Sequence, residues 1–311
     1  MIPDTISAIV PTIGRVESLG VLLEALAAQT RRPDEIIVAD GSTGAAVETL
    51  TKDSRWVSRG LNVRHLRVTP PNAVRQREAA IEQSIGTCLL LLDDDVVPEP
   101  DCLRALIDCL DRYGAVAVGA NFSNHDWPRP TTLWRWYLRL FHGVTGSAWQ
   151  GRVIGPLLRF GYSPAPAQPS KMEWIGSGHS LIRRDAFTRV GGFSDFFLHR
   201  STVNEDVDLG LKLARIGPIY LCPEARMAHL HVAEGRLPAR IVAEDDLYNR
   251  YVILRRTVGH SRLSALALTL LYFAFETMSG LLATARHLRN DGFSVRLAGR
   301  LRALARIATT S

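Results

Sequence analysis

LLLLDDDVVPEP, residues 89 to 100, sets four leucines directly against three aspartates and closes on a proline-bracketed turn. An unbroken apolar run ended by turn formers suits a strand covered on both faces, the kind found inside a parallel sheet. Three adjacent carboxylates repel one another, and each resists leaving water. Either they sit in solvent or something compensates them. For an acidic triplet met in isolation, a solvated turn is the ordinary reading. The position of this one argues otherwise.

Outward from that stretch, short apolar runs alternate with helical periodicity. TISAIV (5–10), EIIVAD (35–40), NVRHLRV (62–68) and TCLLLL (87–92) read as four strands. Leu19, Leu22, Leu23 and Leu26 recur at helical spacing, and a second helix is expected over 72–85. This alternation predicts an α/β fold: a mostly parallel sheet with flanking helices. In such sheets ligands bind beyond the carboxyl ends of the strands. Three polar stretches fall there: Pro11-Thr12, Asp40-Gly41-Ser42, and Asp93 to Asp95. Residues 121–173 loosen into Pro- and Trp-rich sequence, expected as an insertion or mobile flap and not a separate domain. The chain is expected to divide into an α/β domain over 1–235 and a helical extension over 236–311.

The length of 311 residues allows one large or two small domains with a substantial core. With 46% hydrophobic and 22% charged residues, the chain is an ordinary globular mixture, not a disordered one. The net charge of +6 suits an anionic ligand or membrane surface and equally a protein without a charged partner. No nucleic-acid partner is expected. MIPDTISAIV has an acid and no basic region, so it does not read as a secretory signal. Cys88, Cys102, Cys109 and Cys222 show no CxxC spacing and fall in apolar stretches, as reduced core residues of a cytoplasmic protein would.

In an extended backbone Asp93 and Asp95 point to one side and Asp94 to the other, so the alternating pair is the better divalent-cation site. Mg²⁺ or Mn²⁺ takes oxygen ligands, often one or two carboxylates plus substrate phosphates. Asp40 fits a turn or a contact to a nucleoside. In NEDVDLGLKLARIG, Asn204 is a candidate N-cap. At 100° per residue Glu205, Asp208, Lys212 and Arg215 share one face, expected to be wet, while Asp206 turns to the apolar side. A carboxylate there is either a buried cap or salt bridge, or a general base. His229 and His231 alternate, so both could reach one face; a structural role is the default, a place in a metal shell the alternative. Arg75 and Arg77 are either solvated or pyrophosphate contacts.

SAIVPT, EIIVADGST, Arg77 before GTCLLLLDDDVVP, GSGHSLIRRDAFTRVGGF, NEDVDLGLKL and PEARMAHLH follow one another over residues 5–232. This ordered set resembles the GT-A glycosyltransferases, in particular the inverting family-two class. The family usually has two acids before Gly-Ser; Ala39 replaces the first here and Asp40 keeps the second. The resemblance implies a nucleoside-diphosphate sugar donor, UDP- or dTDP-linked, and a glycan or lipid-linked acceptor. It implies that Asp93 and Asp95 hold Mn²⁺ or Mg²⁺ on the donor diphosphate, with Asp94 beside the donor and His229 or His231 assisting. Asp40 would contact the base or ribose, and Pro11, Thr12, Arg75 and Arg77 would line the donor site. Asp206, with Glu205 beside it, would deprotonate the acceptor, near Trp174, Gly176, Ser177 and Gly178. Two rivals remain: a nucleotidyltransferase, for which PTIGRVESLG is a poor phosphate loop, and a non-catalytic membrane-associated scaffold.

LWRWYLRLFH (133–142) reads as an amphipathic helix, with Arg135, Arg139 and His142 opposite Leu133, Trp136, Tyr137, Leu140 and Phe141. Core burial explains that stripe as well as a lipid interface does. LSALALTLLYFAFETMSGLLATA (263–285) carries one charge, Glu276, which argues against a spanning helix. Thr269, Glu276, Ser279, Gly280 and Thr284 share one side and leave a broad apolar face. Arg286, Arg289, Arg296, Arg300, Arg302 and Arg306 follow against Asp291. The extension is therefore expected to lie on the cytoplasmic face of an anionic membrane without crossing it, core packing and an oligomer contact being the alternatives.

Overall fold

The computed structural model describes residues 5–124, 131–142, 153–154, 159–160, 167–232, 237–285 and 292–309. Along the chain the elements are β1 (Ile6–Thr12), α1 (Val16–Ala27), β2 (Glu35–Asp40), α2 (Ala46–Thr51), α3 (Arg55–Ser58), β3 (Val63–Arg67), α4 (Ala73–Gln83), β4 (Cys88–Leu92), β5 (Val96–Pro98), α5 (Cys102–Arg112), β6 (Ala117–Phe122), α6 (Thr132–His142), β7 (Val153–Ile154), β8 (Arg159–Phe160), β9 (Ser170–Met172), β10 (His179–Arg183), α7 (Arg184–Arg189), α8 (Asp195–Leu198), α9 (Glu205–Leu213), β11 (Ile219–His229), α10 (Ala239–Ile253), α11 (Arg262–Ala285) and α12 (Phe293–Thr309). A π-helical turn, Leu254–Val258, continues α10.

Two compact units emerge: 1–126 with 165–235, and 127–164 with 236–311. The stretch 121–173, expected as one flap on the catalytic domain, is thereby divided. Its ends belong with the sheet, and its middle clusters with the C-terminal helices.

The first unit is a sheet in the order β3-β2-β1-β4-β10-β6-β11-β5, with β9 beside β11. β3, β2, β1 and β4 are parallel, as the alternation of strands and helices requires. Every residue of β1, β2 and β4 is buried, which is why these strands read as apolar runs rather than alternating ones. Leu19, Leu22, Leu23 and Leu26 of α1 pack into the core with Ile36, Val38 and Leu90. Beyond β4 the sheet becomes mixed, because β10 runs antiparallel between β4 and β6. Asn72 caps α4 by accepting from the Arg75 amide at 2.9 Å. The four cysteines are free and buried.

Among its described residues the second unit is helical apart from the β7–β8 pair. Gly299 of α12 lies so close to the Arg240 carbonyl of α10 that no Cβ would fit. Arg306 pairs with Asp245 at 3.5 Å and covers the Tyr248 ring. Among the described side chains of α6, Trp134 and Tyr137 are buried, whereas Trp136 and Leu140, which share the apolar stripe with Tyr137, are 64% and 73% exposed. The side chains of Phe141 and His142, together with Arg286, Arg289 and Asp291, lie outside the described residues.

Candidate active site

The three aspartates are compensated from three directions. β4 ends at Leu92, and residues 94 and 95 form a turn before β5. Thr12, the last residue of β1, donates its hydroxyl to Asp94 at 2.6 Å. Arg15, in the turn that follows, reaches Asp94 at 2.9 Å and Asp95 at 3.7 Å. His229 stands opposite Val96 in the β11–β5 ladder, which sets its Nε2 3.1 Å from Asp95. Arg77 on α4 donates to Asp93 at 2.5 Å. The repulsion is thus answered by groups on other elements, as a buried charge cluster demands.

The environments differ within the triplet. Burial raises the Asp94 carboxyl above its ordinary range, outweighing the hydrogen bonds and charge that Thr12 and Arg15 supply. Burial acts the same way on Asp95, but the hydrogen bond and charge from His229, aided by Arg15, hold it below the usual range. Asp93 is the open member, with 41% of its side chain exposed. The expected alternation of side chains does not carry through the triplet, because the backbone turns there. Asp94 is turned inward against Thr12 and Arg15, and Asp95 shares Arg15 with it.

Arg77 also joins the aspartates to the start of α9. Its buried guanidinium sits 3.4 Å from Glu205, which accepts from the Ser177 hydroxyl at 2.6 Å. Glu205 and Asp208 were expected on a wet face. Both are buried, Asp208 against the Ser194 hydroxyl at 2.6 Å and Lys212 at 3.7 Å. Burial raises the Glu205 carboxyl despite Arg77 and Ser177. Asp206 is half-buried and makes no ion pair among the described residues; one carboxylate oxygen accepts from the Val207 amide at 2.8 Å. Burial, followed by the neighbouring Glu205 charge, pushes it well above the ordinary carboxylate range. Asn204 takes the N-cap position with φ 71°, a left-handed backbone, and no side-chain cap bond. Such strain gathers at functional sites.

The glycine-rich approach to β10 closes around these groups. Gly178 donates no side chain where the Asp93 carboxylate lies, and its carbonyl accepts from the Asp93 amide at 3.1 Å. Gly176 leaves room for the His179 ring, and Trp174 packs on Gly210 of α9. His179, which the sequence reading passed over, is held neutral: burial drops it to about 4, and Nδ1 lies 2.8 Å from the Ala120 carbonyl. Gln76 was passed over as well. Its amide donates to the Thr12 and Ala39 carbonyls at 2.8 and 2.6 Å, tying the ends of β1 and β2.

Three candidates sit apart from this cluster. Asp40 is fully buried and engaged by the Ser42 amide and hydroxyl, by His65 at 3.0 Å and by Arg67 at 2.6 Å. Burial would raise its carboxyl, but those partners hold it below the usual range. Its carboxylate organises the turn rather than facing outward. Arg75, proposed for pyrophosphate, is committed to the Leu198 carbonyl at 2.9 Å and to His199 at 3.0 Å. His231 is exposed with φ 52°, its ring 4.1 Å from that of His229.

No group of three or more His, Cys, Asp or Glu suited to a metal occurs among the described residues. A divalent cation shared with a diphosphate does not need one, since one or two carboxylates suffice. The preformed Asp95–His229 pair and the open Asp93 suit that sparse ligand set.

Comparison with known proteins places the chain in a family. The model of the family described as Glycosyl transferase family 2 matches residues 7–189. The O-antigen biosynthesis protein RfbC of Myxococcus xanthus is 28% identical over 82% of the chain, which spans 19% of that relative. The chain likewise spans 23% of an uncharacterised Sinorhizobium fredii protein. An N-acetylglucosaminyl-diphospho-decaprenol L-rhamnosyltransferase of Mycobacterium tuberculosis is 26% identical over 77% of this chain and 81% of its own. Among solved structures, the mannosyltransferase PcManGT from Pyrobaculum calidifontis, in complex with GDP-Man and Mn²⁺, superposes with a TM-score of 0.57 at 15% identity. That match covers 98% of this chain and 86% of the other. S. aureus TarS in complex with UDP-GlcNAc gives 0.56 at 14% identity, covering 97% and 80%. The family match runs from β1 to α7, more than half of the chain, and takes in Thr12, Arg77, the three aspartates and Ser177, so the chain belongs to glycosyl transferase family 2 and has the GT-A fold.

Proposed function

We propose that the chain moves a sugar from a nucleoside-diphosphate donor to a hydroxyl of a glycan or lipid-linked acceptor, with inversion at the anomeric carbon. The observation that carries this reading is Asp206, a half-open carboxylate with a raised pKa at the start of α9. It stands beside Glu205, which Arg77 links to Asp93 at the ligand edge of the sheet.

A sugar hydroxyl is a weak nucleophile at neutral pH and needs a base. Asp206 takes its proton while the oxygen attacks the anomeric carbon and the bond to the diphosphate breaks on the opposite side. The electron pair leaves with the nucleoside diphosphate. One base and no covalent intermediate give inversion. Glu205, held by Arg77 and Ser177, positions the helix start and keeps Asp206 a stronger base through its charge. Mn²⁺ or Mg²⁺, shared by Asp95 and Asp93 with the diphosphate oxygens, would neutralise the diphosphate as it leaves, while His229 holds Asp95 in place. The activity named for the mycobacterial relative and the O-antigen role of the Myxococcus one favour a lipid-linked acceptor and an envelope polysaccharide pathway.

A thermal-shift panel of nucleotide-sugars with and without Mn²⁺ identifies the donor. Transfer to a matching acceptor, followed by proton NMR of the new anomeric centre, tests the chemistry. A product that retains the donor configuration, or full transfer in excess EDTA, overturns the reading.

A further inference from the structure

Helix α11 is built inside out. Its polar side faces into the helical unit, where Thr269 and Ser279 are buried. Glu276 accepts from the Trp134 indole at 3.0 Å and from Arg300 at 3.0 Å, and Ser279 meets the Thr131 hydroxyl at 2.7 Å. The opposite arc holds Leu263, Leu270, Leu271, Met278, Leu281 and Leu282, each from 43% to 80% exposed. Small residues fill the gaps on that arc, and no charge falls on it. A helix on a water-soluble core has the reverse arrangement. The 24 residues extend about 36 Å, and monomers in water seldom expose an apolar strip of that length.

We propose that this leucine face beds into the surface layer of an anionic lipid bilayer, with α11 lying along the membrane. The inference goes beyond the glycosyl-transfer reading and does not depend on it. Charge selects the occupant. Residues 254–309 carry nine arginines and no lysine against Glu276 and Asp291, and Glu276 is already paired with Arg300. Arg255, Arg256, Arg262, Arg296 and Arg302 are exposed. Exposed cations on the same unit as an apolar face suit anionic headgroups over acyl chains. A second copy would bring the same arginines into opposition. The helix lies flat because α12 covers its Glu276 side and packs in turn on α10, which carries Asp245, Asp246 and Arg250. A crossing orientation would draw those charges into hydrocarbon. Trp136 and Leu140 on α6, flanked by Arg135 and Arg139, give the same unit a second projection of interfacial type.

The test is flotation of the full chain with vesicles of phosphatidylcholine and phosphatidylglycerol. Intact protein is expected to float at low salt and to bind less tightly to phosphatidylcholine alone. The combined variant Leu271→Glu, Met278→Glu, Leu282→Glu is expected to lose roughly tenfold or more in partitioning while keeping donor binding. A Met278→Cys protein carrying a polarity-sensitive dye gives an independent reading. Its emission should shift blue on adding anionic vesicles, and the same dye at Val57→Cys, an exposed site in the sheet unit, should not respond. Intact protein left at the bottom at low salt, a triple variant that floats as well as the parent, or a dye at residue 278 blind to vesicles overturns the proposal. So does a dimer that forms without lipid and is lost in the triple variant.

Discussion

Replacing Arg77 by Met should uncouple the aspartate turn from α9, and the size of the effect follows from what the guanidinium touches. Arg77 is 3% exposed, 2.5 Å from Asp93 and 3.4 Å from Glu205. Breaking a buried ion pair by removing one partner costs about 3–5 kcal/mol. The Asp93 arm, 41% exposed, falls near the surface-pair range of roughly 0–1 kcal/mol. The Glu205 arm carries the rest, tempered because Ser177 still donates to it. The expected loss at pH 7.5 is about 3 kcal/mol, or roughly 6–12 °C in Tm for a cooperative unit of 150–250 residues. The sign with pH is fixed by Glu205. Its folded-state pKa is already raised and rises further without Arg77, so ionised Glu205 is penalised in the folded state. The deficit is therefore largest above that raised pKa and shrinks as pH falls through it, because a protonated Glu205 no longer needs the cation. Arg77 also lowers the Asp206 pKa, so the acidic limb of kcat should move to higher pH in the variant. Thermal unfolding across pH 5–8, with Arg77→Lys as the variant that keeps a charge without the two-armed fork, measures both effects. A Met variant that melts within a degree of the parent at pH 7.5 would refute the role of Arg77 as the link.

Asp206→Asn should keep donor affinity and lose turnover by roughly 10²–10⁴-fold; Glu205→Gln as the matched control should lose less, and equal losses would move the base to Glu205. Because the Asp206 pKa is raised on folding, its ionised form weakens the fold once pH exceeds the unfolded-state value, so the Asn variant should be no less stable than the parent at neutral pH by urea unfolding. Gly178→Ala places a methyl group where the Asp93 carboxylate lies, and donor binding by calorimetry should fall with little change in the melting of the second unit. His229→Ala should weaken donor binding in Mn²⁺ and release Asp95 toward its ordinary pKa, so the variant loses donor affinity at a higher pH than the parent as the buffer is acidified.

The sheet was legible where strands were buried on both faces and joined in order. β1, β2, β3 and β4 are parallel as their spacing implied. β10 was not legible as antiparallel, since HSLIR enters after a long excursion and its residues encode burial, not direction. In the site, the sequence displayed the problem posed by Asp93 to Asp95 more clearly than its answer. Arg77 and His229 were marked, though for phosphate and metal. Arg15 was read as part of a poor phosphate loop, yet it touches both Asp94 and Asp95. A single arginine in a turn gives no periodic signal; what brings it to the aspartates is the pairing of β1 with β4. The same holds for Gln76 and His179, whose partners are backbone carbonyls invisible to any motif.

Helical periodicity identified which residues share a face but not what that face meets, in both units and for one reason. On α9 the shared face of Glu205 and Asp208 is buried, because Arg77, Ser177, Ser194 and Lys212 converge on it. On α11 the shared face of Thr269, Glu276 and Ser279 is covered by Trp134, Thr131 and Arg300. Polarity predicts water only where no partner exists, and these partners lie up to 148 residues away in sequence. The consequences differ because the opposite faces differ. Behind the acids of α9 lie Val207, Leu209 and Leu213, all buried, so the helix is enclosed and Asp206 is the one of its three first-turn acids that stays half-buried. Behind Glu276 lie leucines that remain 43% to 80% exposed, so the satisfied polar side turns the apolar one outward. Glu276 had counted against a spanning helix because a lone carboxylate resists hydrocarbon. Paired with Arg300 and turned away from the leucine face, it leaves a surface-lying orientation unopposed.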